Sequence, residues 1–538
     1  MRRADTQRFG IGALFDVHAD LGRTTAFHLS RPFDIAPLNG TRYDVPGIAA
    51  LVVEAAGWLA AAGAGPGDRI AIVKDNHWDC VLLASASARL GAVPVMISST
   101  LAPEHLRELL VRAGPSVTVT TSGVLTRCES AGVDLTKSSD ATVCLDAKLP
   151  GTVPLDDVLG ADGPPPFRSR RPDEPMIVTH TSGTTGVPKL VVHSADTILG
   201  TLGRIESIRW PMVATRRGDT VASAISFVHG RSIPWTVGTL LLEPRKAVVI
   251  ADDDPAVAGR VLAAHRPTTC EALPSTFTRW ERLTRTRHNV FSDVRLYIST
   301  FDAMHPPTIR RFLAATRRRQ PLWLQGWGQS EAGPLAFRML TRRALARTGD
   351  RHPTTRQVGR PLPGFTRLRV VDPETMRPVP PGERGVVLAR TRGRCLTYLG
   401  EEARWQEKAR AGWWNTGDIG VKSRTGTISL LDREVDAVPG ASCIELEDVL
   451  TDRIPQIEEV VVLGTPGADL LPVVCTQDGG ALSPALWRKA VEDLPAFADP
   501  VHVTWDEIPR TGTGKVRRGE LRARYLDGAA AYGTGRWT

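Results

Sequence analysis

The sequence predicts an α/β fold. A large N-terminal domain of α/β subdomains with a β-rich subdomain spans residues 1–432, and a small α+β C-terminal domain spans 433–538. Three observations carry this expectation. Helical stretches alternate with short apolar strands through the first half of the chain, the pattern of parallel strands covered by helices. From about Gly359 the texture turns β-like. The chain, at 538 residues, is also longer than one hydrophobic core sustains.

The elements follow in order. Ile48, Leu51, Val52, Ala55 and Leu59 recur at helical spacing. The turn Gly63–Asp68 ends that helix, and Arg69–Val73 reads as a buried strand. A helix through Leu82–Leu90, a strand at Val93–Ile97, a helix at Pro103–Arg112 and a strand at Ser116–Thr121 come next. Residues 148–175, rich in Pro, Gly and charge, predict an extended surface connection. Strands are expected at Met176–Val178, Leu190–Val192, Val248–Ile250, Thr269–Leu273 and Leu296–Ser299. The β-rich part holds Phe365–Val371, Gly385–Ala389 and Thr427–Leu431, with a turn at Pro378–Gly382. The C-terminal part holds a helix at Ile444–Leu450, a strand at Val460–Leu463 and a helix at Leu486–Leu494.

An apolar fraction of 42% and a charged fraction of 23% fit a soluble globular protein. No apolar run approaches the ~18 residues of a membrane span, and the N-terminus lacks a signal-peptide pattern. A cytoplasmic protein with no membrane partner is expected. The seven cysteines are scattered and form no CxxC pair, which points to reduced thiols and away from zinc. Cys270 and Cys443 read as buried structural thiols rather than nucleophiles. A net charge of +9 suits nucleic acid, but equally anionic substrates such as ATP or CoA. The arginines are dispersed apart from runs such as Arg317–Arg319, and no nucleic-acid module is recognisable, so no nucleic-acid partner is expected.

Five stretches carry chemistry. The first is His180-Thr181-Ser182-Gly183-Thr184-Thr185-Gly186-Val187-Pro188-Lys189. Its glycines let the backbone approach a ligand closely, its successive N–H groups can form an anion nest, and Lys189 adds a point charge. The common nucleotide loop needs glycine directly before the lysine; here Pro188 stands there, and both flanks read as strands. The second stretch, Gln325-Gly326-Trp327-Gly328-Gln329-Ser330-Glu331, offers a flat aromatic face for a base and a carboxylate for Mg²⁺. The third is Trp414-Asn415-Thr416-Gly417-Asp418, whose aspartate can accept ribose hydroxyls. Asp432-Arg433 and the glycine-flanked lysine of Pro509-Arg510-Thr511-Gly512-Thr513-Gly514-Lys515 complete the set. Each alone has a plain structural reading: a surface loop, a strand-end turn, an ordinary Gly-Asp turn, a surface ion pair, a flexible tail.

In this order the five stretches resemble the adenylate-forming superfamily of acyl- and aryl-CoA synthetases, peptide-synthetase adenylation domains and luciferases. The resemblance extends to Gly67–Ile72 and Val358–Gly364 and covers nearly the whole chain. It implies that residues 433–538 form a mobile lid, and that the carboxylate of the substrate attacks the α-phosphate of ATP, giving an acyl-adenylate and pyrophosphate. It implies that Thr181, Ser182, Gly183, Thr184, Thr185, Gly186 and Lys189 hold the phosphates. Thr300, Asp302, Gln325, Gly326, Trp327, Gly328, Gln329 and Ser330 would line the adenine and ribose. Asp418 would take the ribose hydroxyls beside Arg433, Glu331 and Thr184 would hold Mg²⁺, and Lys515 would act catalytically. His229 and Phe301 fall at substrate-pocket positions, and Val435 at the hinge.

The chain departs from the family in three places. Thr300-Phe301-Asp302-Ala303 stands where Gly-Gly-Ala is usual, Val435 where the hinge carries Asp or Lys, and the loop Asp436–Ser442 is a couple of residues short. The leading expectation is a ligase that adenylates a small carboxylic acid, aromatic or polar, and passes it to CoA or a carrier-protein thiol. Some members instead activate nitrite to diazotise an aromatic amine, and the altered pocket and hinge leave that reading open. A non-catalytic nucleotide-binding scaffold is opposed by the intact Lys189, Glu331 and Lys515. The sequence does not specify an oligomeric state.

Overall fold

The helix Val45–Ala61 shows how local sequence sets an element. Asp44 accepts a hydrogen bond from the Gly47 N–H at 2.8 Å, Pro46 occupies the first turn, and Ile48, Leu51, Val52, Ala55 and Leu59 are buried. That is the pattern of an N-capped helix with a core-facing stripe. The structure is a computed structural model that describes residues 10–160, 166–181, 187–286, 289–346, 355–431, 437–438, 441–464 and 469–526. They fall into two compact units: residues 1–271, 329–333 and 392–407, and residues 272–328, 334–391 and 408–538. The boundary expected at 432/433 lies outside the described residues.

The first unit holds an eight-stranded sheet. Its order is Thr397–Tyr398, Leu190–Ser194, Pro175–His180, Val93–Ser98, Arg69–Lys74, Val117–Thr120, Ala141–Cys144 and Val153–Pro154. Arg69–Lys74 pairs in parallel with both neighbours, Ile72 facing Met96 on one side and Val119 on the other. Val93–Ser98 is buried along its whole length, as an interior parallel strand covered on both faces must be. Pro175–His180 and Leu190–Ser194 are antiparallel, so the phosphate-loop sequence does join two strands. A second set in this unit runs Thr220–Ala224, Lys246–Val249 and Ala26–Leu29 in parallel, with Arg42–Tyr43 antiparallel at the edge.

The expected extended connection over residues 148–175 is corrected in part. Val153–Pro154 pairs with the sheet and Leu155–Val158 forms a helical turn. Leu155 and Val158 lie one helical turn apart and both are buried, a short apolar signal hidden by the surrounding Pro and Gly.

The second unit is mostly β. Thr366–Val371, Arg384–Thr391, Trp413–Lys422, Ile428–Leu430, Gln357–Pro361, Gly333–Leu340, Leu322–Gln329 and Leu296–Ser299 lie in that order. Phe277, Tyr297, Phe312 and Trp323 pack under it, with Tyr297 and Trp323 stacked at 5.4 Å between centroids. The C-terminal part of this unit has its own core. Helix Cys443–Arg453 and helix Pro484–Val491 cover the antiparallel strands Ile457–Leu463 and Leu471–Thr476 through Leu446, Leu450, Val460, Val462, Val474 and Trp487. All seven cysteines are buried and none forms a disulfide. Among the described residues no helix is long and apolar enough to cross a membrane.

Candidate active site

In the first unit the two ends of the stretch Thr181–Lys189 are pinned together. The Thr181 N–H donates to the Lys189 carbonyl at 3.0 Å, and the Lys189 N–H donates to Thr181 Oγ1 at 3.0 Å. His180 fixes the same point. Its Nε2 accepts from the Ser98 N–H at 3.0 Å, so Nδ1 carries the proton and donates to the Thr181 carbonyl at 2.7 Å. Burial lowers the His180 pKa against that hydrogen bond, favouring the neutral ring this arrangement requires. Ser182, Gly183, Thr184, Thr185 and Gly186 lie outside the described residues.

Ser330-Glu331 is anchored from several directions in the same unit. His193 Nε2 donates to the Ser330 carbonyl at 2.8 Å. His229 Nδ1 accepts from the Arg231 N–H at 3.1 Å, which leaves Nε2–H to donate to Ser330 Oγ at 3.2 Å. The Cys395 N–H donates to the Glu331 carbonyl at 2.6 Å. Tyr398 Oη donates to Glu331 Oε1 at 2.6 Å. Glu331 is 7% exposed and Tyr398 fully buried, so this charge-assisted bond lies where it is strong. Lys189 Nζ sits 5.5 Å from the Tyr398 ring centroid, within cation–π range.

Beside His229, Arg231 bonds Glu271 through Nε and Nη2, at 2.9 and 3.1 Å, and Glu206 at 2.7 Å. Burial pushes the Glu271 carboxyl up and Arg231 pulls it back.

In the second unit, Ser299 pairs with Gln325 across parallel strands. Thr300 Oγ1 and Gln325 Oε1 are buried without a hydrogen-bond partner. Buried polar atoms of this kind usually have one, and a purine base offers the N–H and ring-nitrogen groups that would satisfy them. Gly326 allows close approach: a Cβ there would lie 3.1 Å from the Phe337 ring and 3.3 Å from Thr300 Cγ2. Trp327 is half-buried and Gly328 exposed. Phe301 adopts φ 81°, a left-handed conformation that costs a residue with a Cβ about 1–2 kcal/mol. The exposed Asp302 accepts from the Ala303 N–H at 2.9 Å.

Asp418 follows Gly417 (φ 76°) within the long strand Trp413–Lys422, and its N–H donates to Thr416 Oγ1 at 3.2 Å. Lys515 is held in a tight turn rather than a flexible tail. Thr511 N–H donates to the Lys515 carbonyl at 2.8 Å, the Lys515 N–H donates to Thr511 Oγ1 at 3.2 Å, and Arg510 bridges to Val516. Gly514 (φ 77°) passes so close to Ser275 that a Cβ would lie 2.1 Å from its Oγ. Arg433 and Val435 are outside the described residues.

Within the first unit the structure therefore brings Thr181, Lys189, Ser330, Glu331 and His229 into one bonded neighbourhood. The second unit carries Thr300, Gln325, Gly326 and Trp327, and separately Asp418 and Lys515. Sequence reasoning missed Tyr398 and His193, and gave His180 no role apart from its stretch. Tyr398 lies 67 residues from its partner Glu331, and no local spacing links them.

A family model described as AMP-binding enzyme matches residues 40–399. The 3-amino-2-hydroxy-4-methoxybenzoate diazotase of Streptomyces cremeus is 38% identical, covering 97% of this chain and 96% of its own length. A 3-aminoavenalumate diazotase from a Streptomyces species is 26% identical over 90% of each chain. The anthranilate CoA ligase AuaEII, solved in complex with anthranoyl-AMP, shares the fold with a TM-score of 0.79 at 19% identity, covering 97% of this chain and 99% of that one.

Proposed function

The chain belongs to the AMP-binding enzyme family, and from that premise we propose that this ATP-dependent, AMP-forming ligase is a diazotase that adenylates nitrite and diazotises an aromatic amine. The observation that carries this reading is the 38% identity to a diazotase along 97% of the chain. The departures at Thr300–Ala303 and Val435 support it, because they fall where members that make thioesters line the acyl pocket and hinge the lid.

The chemistry balances. A nitrite oxygen attacks the α-phosphate, the Pα–O bond to pyrophosphate breaks, and a mixed anhydride of nitrite and AMP remains. The amine nitrogen attacks the nitroso nitrogen, the N–O bond breaks, and AMP leaves with that oxygen. The amine loses a proton, and the N-nitrosamine tautomerises to the diazohydroxide, which takes up a proton and expels water to give the diazonium ion. Adenylation is mostly positioning and charge stabilisation. Lys189 serves the phosphates with the loop 182–186, and Lys515 the charge that develops at the α-phosphate. Thr300 and Gln325 would receive the base, Trp327 would offer it a flat face, and Asp418 would take the ribose hydroxyls, with Arg433 assigned to the same nucleotide. Glu331, a hard carboxylate ligand, suits Mg²⁺ with Thr184; the ion supplies charge neutralisation on the phosphates.

A carboxylate presents the same pair of anionic oxygens as nitrite, so the motifs equally suit the alternative in which an acyl-adenylate passes to CoA or a carrier thiol. One panel decides between them: AMP release from ATP with aminobenzoates, with and without nitrite, and with and without CoA. The diazotase reading expects AMP only with nitrite, together with a diazonium product trapped by azo coupling. AMP and a thioester formed from acid and CoA without nitrite overturn it.

A further inference from the structure

The phosphate lysine and the metal carboxylate are reached by one side chain that no motif contains. Tyr398 lies on Thr397–Tyr398, a strand bound to Leu190–Ser194 by the pairs Thr397–Val192 and Tyr398–Val191. Two further backbone bonds flank it, Leu396 N–H to the Val192 carbonyl and Leu399 N–H to the Leu190 carbonyl, each at 2.8 Å. The ring is thus fixed relative to the strand that starts directly after Lys189. Its hydroxyl has one proton and donates it to Glu331 Oε1 at 2.6 Å. Its ring lies 5.5 Å from Lys189 Nζ.

We infer that Tyr398 is a positioning residue for Mg²⁺–ATP. The hydroxyl holds the Glu331 carboxylate by Oε1 so that Oε2 meets the cation, and the ring keeps the Lys189 ammonium aimed at the phosphates. Neighbours that orient a metal ligand commonly contribute about 10–100-fold to metal affinity or activity. The inference rests on the reading of Glu331 as the metal carboxylate, and the test separates the two.

ATP binding is measured by calorimetry across a Mg²⁺ series, and with EDTA, for the wild type, Tyr398→Phe, Tyr398→Leu, Glu331→Gln and Tyr398→Phe/Glu331→Gln. Tyr398→Phe keeps the ring and loses the hydroxyl. It is expected to raise the Mg²⁺ concentration for half-maximal binding about tenfold and to leave binding in EDTA unchanged. Tyr398→Leu also loses the ring face and weakens binding in EDTA. The double variant is expected to match Glu331→Gln alone. It strands a neutral amide where Tyr398→Phe alone strands a carboxylate, which costs less, and so keeps the comparison open if Tyr398→Phe alone unfolds. Incorporation of 3-fluorotyrosine at 398, which restores a donor, should return the wild-type titration. An unchanged Mg²⁺ titration in Tyr398→Phe beside a shifted one in Glu331→Gln overturns the role of Tyr398. So does a double variant worse than Glu331→Gln. No shift in either single variant removes Glu331 from the metal site, and the inference falls with it.

Discussion

Lys515 is built so that its side chain can be removed without disturbing its turn. The Thr511–Lys515 bonds are made by backbone N–H and carbonyl groups and by the Thr511 hydroxyl. Lys515→Ala should therefore leave the melting temperature and ATP binding nearly unchanged. An interaction made chiefly in the transition state lowers kcat more than ground-state affinity, and losing one such donor costs about 10²–10³ in rate. ATP–pyrophosphate exchange with nitrite measures it, and near-normal exchange would remove Lys515 from catalysis. Phe301 gives a prediction of opposite sign. Its φ of 81° is a glycine conformation, so Phe301→Gly should recover about 1 kcal/mol of strain and offset much of the lost packing. Thermal unfolding should show a shift of a few degrees at most, and the variant should accept bulkier amines than the wild type. A collapse of stability would show that the ring, not the backbone, dominates at this position. Lys515 was legible because glycines flank it, and Phe301 because it stands where the resembled family has glycine. Tyr398, in Thr397-Tyr398-Leu399, carries no such mark, since its meaning comes from a partner brought near by strand pairing.

At the scale of elements, helix Cys443–Arg453 is tied to helix Pro306–Ala315 and its approach. His305 Nδ1 bonds Asp448, whose other oxygen accepts from Thr355; Arg310 pairs with Asp452, and Arg356 Nε with Glu445 at 2.8 Å. Burial alone would lower the His305 pKa, but Asp448, with Glu459 and Glu447 behind it, raises it to about 9. A histidine with a raised folded pKa contributes stability that is complete below its unfolded value, near 6.5, and is lost as pH rises through 9. Glu447, pushed up to about 7 by burial against the pull of Arg518, adds a slope of the same sign at lower pH. His305 therefore dominates the window from 7 to 9. Denaturant unfolding should weaken by about 2 kcal/mol across it, and His305→Gln should flatten the curve there. Equal slopes in the two proteins would exclude the ion pair as the cause. Helix Cys443–Arg453 was readable from apolar period, as the helix expected at Ile444–Leu450. The pair was not, because 143 residues separate His305 from Asp448 and neither stands in a motif.

At the scale of the molecule, the proposed hinge follows residue 432. In members that make thioesters, the lid swings after adenylation to open a channel for the long thiol arm, and a charged hinge residue stays solvated through that swing. Val435 stands there instead. It is β-branched and favours extended backbone, and Pro439 in the short loop behind it restricts the chain further. The backbone at Ala437–Val438 and Ala441–Ser442 pairs as a two-stranded ribbon, which spends the loop's few residues on local pairing. Such a junction suits an acceptor that needs no thiol channel, and a free aromatic amine is one. Single-turnover kinetics should then show pyrophosphate release on mixing with ATP and nitrite, followed by AMP release at a rate set by the amine. CoA should neither accelerate the second step nor form a product, and Val435→Lys should leave the amine-dependent rate unchanged. If the preferred aminobenzoate formed an acyl-adenylate that passed to CoA at least as fast as it was made, the hinge would be no obstacle and the enzyme would be a thioester-forming ligase.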